Sequence, residues 1–579
     1  MNGEDGFRIR PGRIRSPSAQ RARPFIAQAL AAAQKAGARI SRTGLISPGN
    51  RSTFGRGRTA SVRANRLLTG RSRAVIIKTR LVRHYARAAP LAAHLTYLRR
   101  EGVTRDGEKA RLFGPEGGEV DGGAFAARCG DDRHHFRFIV SPEDAVDMAD
   151  LKSFARDLMG QMEKDLGTKL DWAGIDHWNT DNPHLHIILR GHTYDGQDLV
   201  ISRDYIKEGM RARAADLVTQ ELGPRADLDI YRNLQRQVEA ERWTQLDRQL
   251  VRDGRDTGVV DLASLANAQP DEYHVLKVGR VRKLETLGLA EQVGPGQWMI
   301  DEKAEATLRE LGERGDIIKR MHRALTEQGI ERGSANYVLA AELLDTPIVG
   351  RLVDRGLDDE LKGSAYAVVD GTDGRTHHIK LSDLDAAGDS APGSMVELRK
   401  FHDAQGHGRA ALAVRSDLDI EQQVTAAGAT WLDRQNIARE PIALSESGFG
   451  AEVRQAMERR TDHLVQQGLG ERHGQRTTFT RSLIDTLRRR ELEALGEKLS
   501  AETGQPFNRA RGGEYVAGSY RQRFTLASGR FAMIDDGLGF QLVPWTPSLE
   551  KHLGRHVSGV ARNDDGIDWN FGRKRGLGL

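Results

Sequence analysis

The sequence is poor in cysteine and has no long apolar segment. Cys129 is the single cysteine among 579 residues, which excludes a disulfide framework and any zinc module built on CxxC pairs. No run approaches the roughly 18 consecutive apolar residues that a membrane span requires, and the first residues lack the apolar core of a signal peptide. These absences predict a cytoplasmic protein that does not insert into a membrane.

Acidic residues are almost missing from the first 100 positions. These positions hold 22 Lys and Arg against 2 Asp and Glu, a net charge of 22 − 2 = +20. Residues 101–579 hold 65 basic and 79 acidic residues, a net charge of 65 − 79 = −14. This asymmetry indicates a polyanionic partner, with nucleic acid the first candidate. A solvated basic tail is the alternative for residues 1–70.

Composition and turn signals divide the chain into six segments. Residues 1–70, rich in Arg, Ser, Gly and Pro, are predicted to form a basic and mostly disordered arm. An α+β domain is predicted at 71–230. The later segments are predicted to be a helical region, a small β module, a second helical region and a β-rich module with a basic tail, at 231–345, 346–417, 418–510 and 511–579. No internal repeat is recognised.

Residues 272–300, within the first helical region, combine a helix pattern with a Gly-Pro-Gly hairpin. This is the pattern of a winged helix, and an ordinary helix followed by a hairpin fits it equally well. In the first interpretation, the segment and the basic arm would make the chain a non-catalytic DNA-binding regulator.

Hydrophobic periodicity predicts the order of elements in residues 71–230. The order is strand, helix, long loop, strand, helix, two strands joined by a tight turn, and a final helix. The corresponding segments are 74–86, 90–101, 102–133, 134–141, 145–167, 172–179, 184–191 and 202–223. This order predicts an α+β fold: an antiparallel sheet with helices on one face, followed by mixed α and β modules in the C-terminal half.

Three histidines within ten residues make the segment around residue 180 the most informative part of the chain. His184 and His186 alternate along one strand and therefore leave the sheet on the same face, and a tight turn can return His177 of the partner strand beside them. Three neutral imidazoles suit a divalent ion such as Mg²⁺, Mn²⁺, Zn²⁺ or Co²⁺, and they leave coordination positions open, as in a catalytic metal site. An accidental His-x-His in a strand is the alternative.

The acidic residues near the histidines limit which metal-dependent reactions the site is predicted to catalyse. No Glu occurs between 165 and 206, which counts against a zinc protease, whose general base would be a nearby Glu. Asp176 and Asp181 are close in sequence and are candidates to accept an imidazole N–H, with Asp181, inside the turn, the better placed. Ordinary turn chemistry is the alternative role of Asp181.

Tyr97 is a second chemical candidate. A leucine stripe gives its predicted helix a buried side, and Tyr97 lies off that stripe beside His94. Arg99, Arg100 and Arg105 follow and are candidates to hold phosphate oxygens. A phenol with a pKa of about 10 is a poor nucleophile at neutral pH, so Tyr97 becomes useful where a metal withdraws charge from the phosphate that it attacks. An ordinary surface or half-buried tyrosine is the alternative.

These motifs resemble those of conjugative relaxases of the HUH endonuclease superfamily. HWNTDNPHLH (177–186) is similar to their third motif, and HLTYLRREG (94–102) to their first, with Tyr97 at the nucleophile position. FIVSPEDA (138–145) is similar to their second motif, with Ser141 in the DNA-contacting place. The similarity is greatest to the MOB-P class, which includes the T-DNA border-nicking endonucleases of Ti plasmids.

The resemblance covers about residues 74–224, and the part after about residue 230 resembles a C-terminal domain of unknown function that is attached to some such relaxases. Two features depart from the family pattern. Asn179 stands where members often have Asp, so a supporting carboxylate is expected at Asp181 instead. A long segment precedes the domain, whereas the family's tyrosine usually lies near the N-terminus.

The resemblance implies a bacterial enzyme with the fold of the HUH relaxase palm, which nicks one DNA strand at a plasmid origin of transfer. Tyr97 would remain joined to the 5′ end as a phosphotyrosine, with Mg²⁺ or Mn²⁺ as the cofactor and no nucleotide. The implied partners are single-stranded origin DNA, accessory relaxosome proteins and a type IV secretion coupling protein. Rolling-circle replication initiators and single-strand transposases of the same superfamily are alternatives, as is the regulator described above.

Overall fold

The chain divides into two units. The N-terminal unit comprises Met1–Glu239 and Leu265–Arg280, and the C-terminal unit comprises Ala240–Ser264 and Val281–Leu579. The computed structural model describes residues 71–84, 91–99, 103–178, 182–263, 272–339, 347–402, 406, 408–474, 476–562 and 566–571. Of the predicted basic arm, residues 1–70, only the backbone of two short paired strands is described, Arg39–Ile40 and Ile46–Ser47.

A four-stranded antiparallel sheet is the framework of the N-terminal unit. Its strands are β1 (Val75–Arg83), β2 (His134–Pro142), β3 (Trp172–His177) and β4 (His184–Arg190), in the spatial order β1-β2-β4-β3. The strands coincide with the segments predicted from the sequence to within a few residues. Because β4 is an inner strand, hydrogen bonds along both of its edges fix its register, and with it the direction of its two histidines.

The helices of the N-terminal unit before residue 240 are α1 (Leu91–Leu98), α2 (Gly122–Gly130), α3 (Leu151–Leu166), α4 (Met210–Leu222) and α5 (Asp227–Val238). α3 begins at Asp150, whose carboxylate accepts the backbone N–H groups of Lys152 and Ser153, and it ends at Gly167 with φ of 65°. A π-helical segment, Tyr205–Gly209, precedes α4, so the segment predicted as one helix at 202–223 is not regular throughout.

Helices pack against both faces of this sheet. One face carries Phe136, Phe138 and Val140 into a core that also contains residues of α3 and α4. The opposite face carries Ile175 and Ile188 into a second core with residues of α1 and α2. The α+β class and the antiparallel sheet are therefore confirmed, whereas the expectation of helices on one face only is corrected. α2 lies in the glycine-rich segment that was predicted as a loop, which is why the second layer was missed.

The C-terminal unit contains mixed α and β modules. Its described strands form four sheets, and the strands of each are given in spatial order. The first sheet contains Val260–Asp261, Gln297–Ile300 and Ala290–Gly294, and the second contains Tyr337–Val338, Thr376–Leu381, Ser364–Gly371, Ile348–Asp359, Met395–His402 and Gly408–Ser416. The third contains Gly470–His473 and Arg476–Phe479, and the fourth contains Phe540–Pro544, Gly529–Asp535, Tyr515–Leu526, His556–Ala561 and Ile567–Trp569. Its helices are Gln245–Asp253, Ala304–Glu327, Leu384–Ala387, Ile420–Thr425, Trp431–Asn436, Gly448–Gln466, Leu483–Thr503 and Pro547–Glu550, and the helix Glu272–Thr286 crosses the boundary between the units. In the described part of the chain, no helix combines the length and the apolar character needed to cross a bilayer.

A helix end followed by a hairpin and a long helix occurs twice in the C-terminal unit. The backbone N–H of Leu289 donates to Leu284 O at 2.8 Å, and that of Leu469 donates to Leu464 O at 2.9 Å. Glycines with φ of 71° and 72° occupy the equivalent positions 288 and 468. The two hairpins, 290–300 and 470–479, are each followed by a long helix, Ala304–Glu327 and Leu483–Thr503.

A helix N-terminus of similar sequence precedes each of these two arrangements of helix end, hairpin and long helix. Thr244 and Asp247 form a capping box at the start of TQLDRQ (244–249), and Thr430 and Asp433 form one at the start of TWLDRQ (430–435). Both aspartates are fully buried. The C-terminal unit therefore contains an internal repeat, which the sequence analysis did not recognise because the two hairpins differ in length and composition.

Candidate metal centre

Three histidines converge at one end of the sheet. His184 and His186 are on β4, and His177 is the last residue of β3, directly opposite His184. The three side chains are buried, with 0 to 8% of their surface exposed. Their ring centroids are 4.5 Å (His177–His186), 4.9 Å (His184–His186) and 5.5 Å (His177–His184) apart. The structure therefore brings together the three residues that the sequence predicts as metal ligands.

Backbone carbonyls set the tautomers of two of these rings. His177 Nε2 lies 2.9 Å from Leu98 O, and His184 Nδ1 lies 2.9 Å from Asn182 O. Because a carbonyl can only accept, both of these nitrogens carry the ring proton. The lone pairs are therefore on His177 Nδ1 and His184 Nε2. A neutral imidazole whose other nitrogen is anchored by a hydrogen bond is the form in which histidine binds a metal ion.

The spacing of the nitrogens fits a single ion. One ring nitrogen from each histidine lies within 4.8 Å of the others, and His184 Nε2 is 3.1 Å from His186 Nε2. Metal–nitrogen bonds of about 2.1 Å at angles between 90° and 109° place neighbouring nitrogens roughly 3.0–3.4 Å apart. The His184–His186 distance falls in this range. Three protein ligands would leave coordination positions for water or for substrate oxygens.

The end of α1 contacts the histidines. Leu95 and Leu98 are buried, and the carbonyl of Leu98 is the group that accepts from His177. Tyr97 precedes Leu98 and is half-buried, with its ring packed beside the second core. The backbone hydrogen bond therefore fixes the turn of helix that carries Tyr97 against the histidine site.

The described residues that are predicted to contact DNA each have a different neighbour in the structure. Ser141 Oγ lies 3.5 Å from Pro183 O, just before the first histidine of β4. Arg99 pairs with Glu119 at 3.4 Å, so part of its charge is already balanced. The guanidinium of Arg105 stacks 4.8 Å from the centroid of Trp178, the residue after His177. Arg100 and Asp181 lie outside the described residues.

Asp176 does not support an imidazole. It alternates with His177 along β3 and therefore points to the opposite face of the sheet. There its Oδ2 accepts from Trp178 Nε1 at 2.8 Å, and its Oδ1 lies 3.6 Å from Lys152 Nζ of α3. The interpretation of Asp176 as an acceptor for a histidine N–H is therefore wrong. Backbone carbonyls take that role at His177 and His184.

The same sheet face carries a group of basic residues that is not among the predicted site residues. Arg137 and His135 are on β2, on the side of the sheet that carries His186, and Arg80 of β1 is directly opposite Arg137. The alternation in HHFRFIVS, with phenylalanines on one side and His135 and Arg137 on the other, was the available signal. It was overlooked because the phenylalanines alone identify the strand.

The fold and the site define an α+β protein with a candidate three-histidine metal centre in its N-terminal unit. The chain belongs to the family described as "Protein of unknown function (DUF3363)", whose model matches residues 277–405 and 399–578, more than half of the chain. No curated protein and no solved structure matches the chain.

Proposed function

We propose that this protein is a DNA relaxase: it nicks one strand at an origin of transfer and remains joined to the 5′ end through Tyr97. The observation that carries the proposal is the arrangement at the end of the sheet. Three imidazoles converge there, two of them with the protonated nitrogen held by a carbonyl, and one of those carbonyls belongs to the helix that carries Tyr97.

In the proposed reaction, the three histidines hold the metal ion and Tyr97 is the nucleophile. A divalent ion held by His177, His184 and His186 would polarise the scissile phosphate and stabilise its negative charge. The Tyr97 oxygen forms a bond to phosphorus and loses its proton, while the bond from phosphorus to the 3′ oxygen breaks and that oxygen leaves as a hydroxyl. The phosphodiester energy is kept in the phosphotyrosine, so the reverse reaction rejoins the strand without a nucleotide.

Trp178 and Arg105 supply a further element that suits single-stranded DNA. Trp178 directly follows His177, is partly exposed, and is covered on one face by the Arg105 guanidinium. Unpaired bases stack on aromatic rings and on guanidinium planes, with about 1–3 kcal/mol per base. Because Trp178 donates to Asp176 on the face opposite the histidines, a base stacked on it would lie around the end of β3 from the metal site.

Covalent capture tests the proposal. The protein is incubated with Mn²⁺ and a randomised single-stranded DNA library, and DNA that stays attached after denaturation is recovered and sequenced. We expect a phosphotyrosyl adduct that maps to the peptide containing Tyr97 and is absent from Tyr97→Phe, which removes one oxygen atom.

Tyr194→Phe is the matched control, because Tyr194 has 88% of its surface exposed and lies in the same unit. This variant should form the adduct at the wild-type rate. A wild-type protein that binds Mn²⁺ at the three histidines but forms no adduct with any library member would contradict the relaxase proposal and favour a DNA-binding regulator. An adduct at Tyr85, which lies outside the described residues, would contradict the assignment of Tyr97.

A further inference from the structure

A pair of arginines faces each other on the sheet surface that carries the histidines. Arg80 of β1 is directly opposite Arg137 of β2, and Arg137 is in turn opposite Ile188 of β4, two residues beyond His186. Two residues along a strand span about 7 Å, and neighbouring strands are about 5 Å apart. On the face that carries the histidines, Arg137 is therefore one strand away from β4 and Arg80 is two strands away.

Arg137 is buried and Arg80 is half-buried, but neither has an anionic partner. Arg137 is 9% exposed, and Nη1 of Arg80 is buried without a hydrogen-bond partner. In the described part of the chain, no carboxylate lies within ion-pair distance of either guanidinium. Like charges placed directly opposite each other in a sheet are destabilising, and a buried cation without a partner is costly. An anion between the two guanidinium groups would remove both penalties.

Two histidines hold Arg137 in place. Arg137 Nε donates to His135 Nε2 at 3.0 Å, so the proton of His135 is on Nδ1. That nitrogen lies 2.6 Å from His84 Nε2, which must then accept. Burial, followed by the charges of Arg137 and His84, lowers the pKa of His135 to about 3, so this ring stays neutral. The chain of hydrogen bonds uses only Nε of Arg137 and leaves its two Nη groups for a ligand.

We propose that Arg80 and Arg137 form a phosphate-binding site that holds a backbone phosphate of the DNA strand next to the one at the histidines. The DNA assignment rests on the proposed function, whereas the anion site itself does not. Guanidinium groups match the oxygens of a phosphate with paired hydrogen bonds. Lys78, exposed on the same face of β1 and opposite Ile139, extends the positive surface along the strand to the level of His186.

The test measures DNA binding separately from cleavage. Fluorescence anisotropy with labelled oligothymidine is recorded at several salt concentrations, with EDTA present and in the Tyr97→Phe background. We compare Arg80→Gln, Arg137→Gln and the double variant with Arg83→Gln. Arg83 is exposed on the opposite face of β1, and its variant makes the same change in net charge as either single variant.

We expect the double variant to weaken binding roughly 10-fold or more, since charge-assisted hydrogen bonds are lost. The slope of log K against log salt should fall by about 0.7 for the lost phosphate contact. Arg83→Gln should leave both quantities nearly unchanged. Arg137→Lys keeps the positive charge but not the paired N–H donors of the guanidinium, and it should retain more affinity than Arg137→Gln does. Thermal melting of each variant checks that it is folded.

Two results would overturn the proposal. If both Arg80→Gln and Arg137→Gln weaken binding no more than Arg83→Gln does, the pair has a structural role only. If millimolar inorganic phosphate raises the melting temperature of the wild type but not of the variants, while their DNA binding is unchanged, the site takes free phosphate and not DNA. Since none of these binding measurements requires metal or cleavage, a failure of covalent capture would leave them valid.

Discussion

At the scale of single residues, the histidine site depends on where each ring keeps its proton. His177 and His184 each donate to a carbonyl, Leu98 O and Asn182 O, and present an unprotonated nitrogen to the third ring. The two donations use opposite nitrogens, Nε2 in one ring and Nδ1 in the other. The position of each carbonyl thus decides which nitrogen is available to an ion.

Removal of one of these rings should strongly weaken metal binding without unfolding the sheet. We expect His184→Ala to lower Mn²⁺ affinity by roughly 100-fold or more, because even the loss of an outer hydrogen-bond partner of a ligand costs about 10–100-fold. Titration calorimetry measures the affinity. His192→Ala is the matched control in the same unit, and an equal loss of affinity there would contradict the assignment.

His135 should make the stability of the sheet depend on pH. Its pKa in the folded protein is lowered from 6.5 to about 3, so the unfolded chain binds more protons between these values. Stability is therefore lost as the pH falls through this window. Between pH 7 and pH 5, this residue alone should account for a loss of about 2 kcal/mol.

Hydrogen exchange of the β1 and β2 amides measures this loss, since it reports the opening of this part of the sheet. The difference between pH 7 and pH 5, corrected for the intrinsic exchange rate, should be smaller in His135→Gln than in the wild type. Equal differences in the two proteins would show that His135 is protonated in the folded state.

At the scale of elements, two glycines show opposite requirements. A Cβ on Gly191, after the last residue of β4, would lie 1.9 Å from the carbonyl oxygen of His134, which belongs to the backbone of β2. A Cβ on Gly160, within α3, would have no atom within 4 Å. The first glycine permits the close approach of two backbones, whereas the second only weakens a helix.

Substitution of these glycines should therefore have effects of opposite sign. Gly160→Ala should raise the free energy of unfolding by roughly 0.5–1 kcal/mol, the usual difference in helix propensity. Gly191→Ala should destabilise by about 1–3 kcal/mol, as overpacking against fixed atoms does, and should weaken Mn²⁺ binding by shifting β4. Thermal melting measures the changes in stability, and titration calorimetry measures the change in Mn²⁺ affinity. A stabilising Gly191→Ala would contradict the close approach.

The sequence predicts most elements of the N-terminal unit, but not how its layers form. The β-branched and apolar content of β1, β2 and β4 identifies them, because such side chains suit an extended, partly buried strand. α2 was missed because GGAFAARCG carries two glycines at its start and a short apolar pattern. Burial of Phe125 and Cys129 in the second core offsets that low helix propensity.

At the scale of the whole molecule, the histidines and their anchoring carbonyls all lie in residues 71–239. A fragment of residues 1–239 should therefore bind Mn²⁺ with an affinity within about threefold of that of the full chain, because it keeps all three histidines. A second fragment, 1–286, adds the remaining segment of the N-terminal unit as a control for folding. Calorimetry measures the affinity of each. A fragment that is folded but binds no Mn²⁺ would show that the C-terminal unit contributes to the site.

By itself, the sequence determined that His184 and His186 share a face and that His177 ends the neighbouring strand, since strand alternation and a short turn are local properties. Only the tertiary structure decided which atoms hold the rings. Leu98 O reaches His177 across 79 positions of sequence, and Arg80 meets Arg137 across β1 and β2. Such contacts depend on strand register and on how α1 packs over the sheet. Both are set by the summed burial of many side chains, and no short motif encodes them.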